Sequence, residues 1–170
     1  MRLLAIDPSL RSTGFAVLER PAAAAAKVRV LEYGTIRNPD RLRSSGCLVA
    51  IHEKIAELVA RHEPVAAALE SVIFVQSRQT AIVLGAARGA AILAIAQKGI
   101  EIYEYPPTRV KQAVVGRGSA GKEQVAFMVR ALLGLTETPA SDAADAMAIG
   151  LTHFQNADAA RLGTTPLQRL

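Results

Sequence analysis

The chain has one cysteine, no tryptophan and only three histidines among its 170 residues. A single cysteine excludes an internal disulfide framework and the zinc motifs that need several thiolates, so we expect Cys47 to lie buried in a reducing compartment. The N-terminal sequence MRLLAIDPSL has too short an apolar run for a signal peptide and leads directly into a turn. These features predict a cytoplasmic protein.

Long apolar runs are also scarce. Residues 81–98 form the one membrane-like segment, but Arg88 lies near its middle, and much of its apolar character comes from alanine and glycine. A charged side chain is costly inside a bilayer. We therefore expect a buried helix of a soluble domain rather than a membrane span, and no membrane partner.

Length and composition predict one domain. With 51% hydrophobic residues, a chain of this length can bury one substantial core. We place this domain at residues 1–156, because residues 157–170 lack a strong pattern and are expected to fray as a tail.

The charge of the chain is unevenly distributed. The formal net charge is +5 and the sequence pI is about 9.8, which favours an anionic partner. Between Val72 and Leu135 there are eight basic and three acidic residues, so this middle stretch carries the whole surplus. Nucleic acid is one interpretation, and an ordinary solvated surface is the other, because a modest basic excess is common.

Apolar patterns and turn signals predict strands first and alternating helices and strands afterwards. The predicted strands cover residues 3–7, 14–18, 28–36, 65–70 and 101–105, and the predicted helices cover residues 42–61, 80–97, 108–115, 121–133 and 140–156. The first three strands are joined by turn-rich segments, which favours an antiparallel meander. The later strands are reached through helices and should pair in parallel. The predicted class is α/β, with a five-stranded mixed sheet flanked by helices.

Four acidic residues occupy positions where burial would not favour a charge. Asp142 and Asp145 are three residues apart in the apolar stretch SDAADAMAIGLTHF, and this spacing puts them on one helix face. Asp7 and Glu70 each end an apolar strand. If those strands are parallel neighbours, both acids emerge at the carboxyl edge of the sheet, where α/β folds place their sites. A last helix packed across that edge would complete a cluster of four carboxylates.

Such a cluster indicates a metal site. Four carboxylates close together repel one another unless a cation binds them. Oxygen ligands without histidine or cysteine indicate a hard metal, Mg²⁺ or Mn²⁺. His153 continues the same helical stripe but lies eight residues beyond Asp145, roughly 12 Å along the axis, so it is not expected to share the ion.

Each acid also has an ordinary explanation when it is taken alone. Asp7 could start a turn, and Glu70 could be a surface charge at a strand end. Asp142 could complement the helix dipole. Asp145 lies beyond the helix cap among apolar residues, where a structural role is harder to assign. The predicted convergence of the four is what favours a functional site.

Five segments resemble the successive motifs of the RuvC family of Holliday-junction resolvases. In family order they are AIDPSLRSTGFAV, ALESVIF, LGAARGAAILA, VKQAVVGRGSAGKEQVAFMVRALLGL and SDAADAMAIGLTH, which together run from Met1 to about His153. The resemblance implies a ribonuclease H-like fold, a homodimer, and metal-dependent incision of two like-polarity strands at a four-way DNA junction. It carries the family's acidic tetrad onto four residues of this chain, Asp7, Glu70, Asp142 and Asp145.

These acids could support phosphodiester hydrolysis with two divalent ions, Mg²⁺ or Mn²⁺, roughly 4 Å apart. No side-chain nucleophile is then needed, so Ser9, Ser12 and Thr13 are interpreted as turn or backbone-contacting residues. The resemblance also implies products with 5′-phosphate and 3′-hydroxyl ends, and branch-migration partners of the RuvA and RuvB type.

Several basic residues are candidate DNA contacts. Lys111 and Lys122 flank a glycine-containing loop, and in the resemblance they fall on basic positions that contact DNA near the cleavage site. The alternative is that they are ordinary helix-surface lysines. Arg78, Arg109 and Arg117 are candidates for contacts to the phosphate backbone, which position a duplex without reading its sequence.

An aromatic residue near the site is a candidate junction wedge. Phe74 follows Glu70 on a predicted loop and could stack on an opened base pair, with core packing as the second interpretation. The family pattern has an aromatic three residues after the glutamate, where this chain has Ile73. The wedge role is therefore expected to have moved by one position.

Gly85 and Gly89 are four residues apart in the small-residue helix, a spacing that lets another helix approach closely. They are candidates for a dimer interface, with tight packing on the protein's own sheet as the alternative. Two-fold symmetry would supply two active sites for paired cuts on a symmetric junction.

Other classes of function stay open. The segment DPSLRSTGFAV resembles the phosphate-loop hairpin of actin-like sugar kinases and ATPases, but the usual two domains of those proteins would not fit in 170 residues. A noncatalytic DNA-binding module would be expected to lack one or more of the four acids. A ribonuclease H-like nuclease acting on other branched DNA or on RNA hybrids is a further alternative, which substrate tests separate.

Overall fold

The strands of the protein form one mixed sheet. The computed structural model describes residues 1–21, 27–72, 77–163 and 168–170. Within these residues the strands are β1 (Arg2–Asp7), β2 (Ser12–Glu19), β3 (Arg29–Arg37), β4 (Ala66–Glu70) and β5 (Glu101–Tyr105). Their order in the sheet is β3-β2-β1-β4-β5, with β1 to β3 antiparallel and β4 and β5 parallel to β1. The predicted combination of a meander with parallel strands is confirmed.

Helices cover both faces of this sheet. They are α1 (Ser44–His62), α2 (Arg78–Ala96), α3 (Pro107–Val115), α4 (Lys122–Leu133) and α5 (Ser141–Arg161). The last helix continues past its predicted end near residue 156, because the segment ADAAR is rich in good helix formers and Asp158 is held by Arg20 at 2.6 Å.

Alternation along the strands creates two cores. In β1, Leu3 and Ala5 face a core shared with α3, α4 and α5, whereas Leu4 and Ile6 face a core shared with α1 and α2. Successive side chains of a strand point to opposite faces, so a strand covered on both sides must be apolar throughout. This requirement explains why the apolar run of β1 ends only at its last residue.

The strand register brings two acids to the same edge. Ile6 of β1 is paired with Leu69 of β4 in the parallel ladder, so the next residues, Asp7 and Glu70, end their strands side by side. On its other side, Asp7 pairs with Gly14 of β2.

The helix α2 is not the buried helix that the sequence predicts. The helix is long and apolar enough to span a membrane. Only 22% of its most apolar 18-residue segment is buried in the fold. Ala87, Ala91 and Ile95 pack inward, while Ile82 and Leu93 are 72% and 53% exposed. Because most of the buried residues of α2 are alanines, only a narrow strip of the helix packs against the rest of the protein. The other side of α2 is an apolar face exposed to solvent.

The last described residues return to the sheet. The backbone N–H of Leu170 donates to the carbonyl of Ile102 at 3.0 Å, and that of Glu104 donates to the carbonyl of Gln168 at 3.2 Å. These bonds add a short antiparallel bridge to the outer side of β5. The domain boundary near residue 156 stays a prediction.

Candidate active site

Four carboxylates gather where β1 and β4 end and α5 begins. Asp7 and Glu70 are the last residues of their strands, and Asp142 and Asp145 lie in the first two turns of the helix. The charges of the other three acids all act on Asp7. The structure therefore brings the four predicted acids into one neighbourhood.

Burial and mutual repulsion oppose the ionisation of these acids. Burial, together with the charges of Asp145, Glu70 and Asp142, raises the pKa of Asp7 to about 7. Burial and then the charge of Asp145 raise the pKa of Glu70. Burial is also the largest cause of the raised pKa of Asp145. A divalent cation at this position would favour the charged carboxylates and remove the repulsion.

Close packing between β2 and α5 fixes the position of Asp142. A Cβ atom at Gly14 would lie only 1.9 Å from the carbonyl oxygen of Asp142, so no other residue lets the helix approach the strand this closely. The hydroxyl of Ser12 donates to Oδ2 of Asp142. Thr13 behaves as predicted, because its hydroxyl bonds to the backbone of Ser9. Ser12 does not, because it contacts an acid side chain instead of the backbone.

The two predicted lysines border the acids. Nζ of Lys122, the first residue of α4, lies 3.6 Å from Oδ2 of Asp145, and the lysine side chain is 75% exposed. Lys111 of α3 has a charge that opposes the rise in the pKa of Glu70 and of Asp145. Both cations are thus placed where they can act on the acids and on a phosphate brought to them.

The chemistry of the donor set fits a hard divalent cation. All four acids offer carboxylate oxygens, the ligands that Mg²⁺ and Mn²⁺ prefer. As they stand, no three Asp, Glu, His or Cys side chains in the described part of the chain are arranged to hold one ion. The four acids are partly exposed. Rotation of their side chains about a fixed backbone would be needed for shared coordination.

A cleft of about 380 Å³ leads to two of the acids. Asp7 and Glu70 line it together with Leu84 and Arg88 of α2 and Thr108 of α3. The carboxylates are therefore reachable from solvent between α2 and α3.

In the described part of the chain, none of the three arginines predicted to contact DNA forms an ion pair with the four acids, unlike Lys122. Nη2 of Arg109 donates to Oδ1 of Asn156 at 2.9 Å, so this guanidinium is tied to α5. Arg117 lines a separate groove of about 410 Å³ with Phe127. Arg78 is exposed at the start of α2. Their contacts to DNA stay predictions.

The predicted wedge lies outside the described residues. Phe74 and its neighbour Ile73 fall between Val72 and Ser77, where the description of the chain is interrupted. The choice between them as the junction wedge stays a prediction.

His153 is a core residue. It is 1% exposed, and its Nδ1 lies 2.8 Å from the hydroxyl of Tyr105 at the end of β5. Among the described residues, its Nε2 has no hydrogen-bond partner. Burial lowers the pKa of His153 to about 4, so the ring is neutral at neutral pH.

The two glycines of α2 face open space. A Cβ atom built at Gly85 or Gly89 would meet nothing within 4 Å. Tight packing of these positions on the protein's own sheet, one of the two interpretations, is therefore wrong. The dimer interface stays a prediction.

Two residues beside the acids, Ser12 and Arg88, have contacts that the sequence does not predict. From the sequence, Arg88 indicates only that its helix is not a membrane span. In the structure its guanidinium donates to the backbone carbonyl of Glu70 at 2.6 Å and pairs with Glu104 of β5. A lone arginine within an alanine-rich helix was the available signal.

Comparisons with known proteins agree with this geometry. The profile of the family described as "Crossover junction endodeoxyribonuclease RuvC" matches residues 3–153. A curated protein of that name from Akkermansia muciniphila is 54% identical over 158 residues, 93% of each chain. One from Halorhodospira halophila is 44% identical over 160 residues, 93% of this chain and 92% of the relative.

A solved structure, titled "T. thermophilus RuvC in complex with Holliday junction substrate", superimposes with a TM-score of 0.88 at 37% identity, covering 100% of this chain and 99% of that one. The ribonuclease H-like fold is thereby confirmed. An actin-like or noncatalytic assignment has no counterpart among these relatives. The chain belongs to the RuvC family of crossover junction endodeoxyribonucleases.

Proposed function

We propose that this protein is an endonuclease that resolves four-way DNA junctions by paired symmetric cuts, in DNA recombination and repair. The convergence of the four acids at one sheet edge, in a chain of this family, carries the proposal. Hydrolysis would leave 5′-phosphate and 3′-hydroxyl ends that a ligase could seal. We place the enzyme in the cytoplasm.

Nucleases of this family are metal-dependent. We assign two ions of Mg²⁺ or Mn²⁺ to each active site, held by the four acids, because every donor is a carboxylate oxygen. When bound there, two such ions would supply an activated water molecule and would stabilise charge on the departing 3′ oxygen. The hydroxyl of Ser12 would keep Asp142 oriented during this chemistry.

The lysines would neutralise the DNA beside the site. Lys122 has an exposed side chain next to Asp145, so it can move toward a phosphate when a cation takes its place at the carboxylate. Lys111 would act in the same way from α3. Arg78, Arg109 and Arg117 are proposed to contact the phosphate backbone, and Phe74, which follows Glu70 in the sequence, is proposed as the junction wedge.

The exposed apolar face of α2 supports a homodimer. Ile82 and Leu93 are exposed there, and the open positions at Gly85 and Gly89 would let a second helix approach. A groove of about 370 Å³ between α1 and α2 continues the same surface. Two copies joined here would carry two sites for paired cuts. Partners of the RuvA and RuvB type are proposed from the family resemblance.

A synthetic four-way junction tests the activity. With Mg²⁺ or Mn²⁺ we expect symmetric nicks on two strands of like polarity, and with a chelator none, as measured on a denaturing gel. Linear duplex, a three-way branch and an RNA–DNA hybrid serve as matched substrates. Equal cutting of any of these would replace junction selectivity with the wider ribonuclease H-like alternative.

Asp7→Asn tests the site itself. The variant should bind the junction as wild type does in a mobility-shift assay, because the amide keeps the shape, but it should lose at least about 10²-fold in cleavage rate. Glu63→Gln, an exposed acid between α1 and the start of β4, at the other end of that strand from Glu70, is the control. Normal cleavage by Asp7→Asn would remove the proposed metal site.

Leu93→Glu tests the dimer. A charge on the open face of α2 should shift the mass measured by light scattering from dimer to monomer, while circular dichroism shows the helix content of wild type, because the side chain of Leu93 is exposed in the single chain. Phe127→Glu, exposed on α4, is the matched control. A monomeric wild type, or an unchanged dimer in the Leu93 variant, would contradict this interface.

A further inference from the structure

Arg88 connects three elements around one of the site acids. Its Nη1 donates to the backbone carbonyl of Glu70 at 2.6 Å, and its Nη2 pairs with the carboxylate of Glu104. The side chains of Arg88 and Glu104 are only 12% and 16% exposed. A guanidinium from α2 is thus clamped between the last residue of β4 and a residue of β5.

The carbonyl that Arg88 holds lies at a sensitive point of the chain. Glu70 is the last residue of β4, and the next sheet bond, from the N–H of Ser71 to the carbonyl of Tyr105, is at the very end of the ladder. The N–H of Ser71 and the carbonyl of Glu70 belong to the same planar peptide group, so the sheet holds one side of this peptide through Tyr105 and Arg88 holds the other. Glu104 in turn fixes Arg88.

We propose that Arg88, held by Glu104, is a positioning residue that fixes the backbone of Glu70 and thereby aims its carboxylate at the metal site. The inference rests on the proposed function, because it requires Glu70 to be a metal ligand. It depends on the geometry of arginine, whose planar fork can bond two acceptors in different directions at once. A lysine keeps the charge but offers a single nitrogen, so it cannot reproduce the arrangement in which Nη1 bonds the carbonyl and Nη2 bonds Glu104.

Two other roles for Arg88 make different predictions. A purely structural ion pair would affect stability and nothing at the site, since breaking a buried pair leaves an uncompensated charge. A direct phosphate contact is conceivable because Arg88 lines the cleft beside Asp7, but both ends of its guanidinium are already engaged. A positioning role predicts a specific change in metal dependence.

Arg88→Lys and Glu104→Gln are the test variants. Both nearly keep the volume of the side chain; Arg88→Lys also keeps the positive charge, and Glu104→Gln keeps an acceptor oxygen. Arg130→Lys is the matched control, an arginine whose Nε bonds the carbonyl of Leu135 away from the site. We expect the metal concentration for half-maximal single-turnover cleavage to rise about 10-fold in the test variants, as is typical when support of a metal ligand is lost. Junction affinity measured without divalent metal should stay within about twofold of wild type.

A second readout does not depend on cleavage. The melting temperature should rise when Mg²⁺ or Mn²⁺ is added. The metal concentration needed for this rise should be about 10-fold higher in Arg88→Lys than in wild type or Arg130→Lys. A lower melting temperature with unchanged metal dependence would overturn the proposal in favour of a structural pair. A large loss of junction affinity with unchanged metal dependence would overturn it in favour of a phosphate contact.

Glu70→Gln separates failure of this inference from failure of the proposed function. If Glu70→Gln cuts junctions normally, Glu70 is not a metal ligand and both fall. If Glu70→Gln is inactive while Arg88→Lys has wild-type metal dependence, only the role of Arg88 is wrong.

Discussion

Repulsion among the four acids opposes folding of the metal-free protein. We expect Asp145→Asn to raise the free energy of unfolding without divalent metal by about 1 kcal/mol. The substitution removes a carboxyl group whose pKa is raised by burial, so its charged form is unfavourable in the folded protein. The pair with Lys122 is exposed, so its loss should cost little. Thermal melting with and without Mg²⁺ measures the effect. Added metal should stabilise wild type more than the variant, and destabilisation of the metal-free variant would instead indicate a structural role for Asp145.

Gly14 holds the helix that carries Asp142. Gly14→Ala would drive a Cβ atom into the carbonyl of Asp142, so we expect a loss of at least about 2 kcal/mol in stability and a loss of cleavage as the helix start moves. Gly121→Ala is the control, because a Cβ atom there meets nothing within 4 Å and its φ of −75° suits alanine. Chemical denaturation and the junction assay measure both. Wild-type stability of Gly14→Ala would show that α5 can retreat from β2 without cost.

Individual residues differ in how far their roles could be predicted. That Asp7 and Asp145 lie near one another could be predicted, because each acid ends or interrupts an apolar pattern that is local in the sequence. The contacts of Ser12 and Arg88 could not, because their partners, Asp142 and Glu104, are distant or on other elements. A hydroxyl or guanidinium that serves an acid on another element stands out in the sequence at most as an isolated polar residue, and nothing local indicates its partner.

At the scale of elements, the strands and helices followed from alternation and turn chemistry, and parallel pairing of β1 with β4 followed from the intervening helix. The error concerned α2. Its many alanines and its small glycines look like a packed interior, but the same composition also suits an open face. Composition alone reports apolar surface and does not report which neighbour covers it.

The contact between α5 and β5 predicts a pH dependence of stability. His153 is buried between them, and its pKa is lowered to about 4 from an ordinary 6.5, chiefly by burial and also by the charge of Arg20. The neutral ring is therefore favoured in the folded state. Its contribution is present above pH 6.5 and is lost as the pH falls toward 4, by on the order of 3 kcal/mol.

His153→Gln isolates this contribution. The difference in unfolding free energy between wild type and the variant should shrink or reverse between pH 6.5 and 4, because glutamine does not ionise. Tyr105→Phe removes the hydrogen bond to Nδ1 but keeps the ionisable ring, so it should retain the pH dependence. Parallel pH profiles for wild type and His153→Gln would show that folding does not lower the pKa of this ring.

At the scale of the whole molecule, the basic surplus of the middle stretch is not spread uniformly. Arg88 is buried in an ion pair and Arg109 is tied to Asn156, so neither is a free surface charge. Lys111 and Lys122 instead lie beside the acids at the carboxyl edge of the sheet. Counting charges along the sequence could predict an anionic partner but could not assign the edge at which it binds.

This arrangement predicts which charges contribute to the salt dependence of junction binding. Each phosphate contact releases counterions, so Lys111→Ala and Lys122→Ala should each reduce the slope of log affinity against log salt concentration by about 0.9. Lys98→Ala is the control, an exposed lysine before β5, at the opposite edge of the sheet from the acids. Binding is measured without divalent metal across 50 to 200 mM salt, a range over which phosphate contacts weaken markedly. If Lys98→Ala lowers the slope as much as the other two substitutions, DNA does not bind preferentially at the acidic edge. Lysines at both edges of the sheet would then contribute equally to the salt dependence.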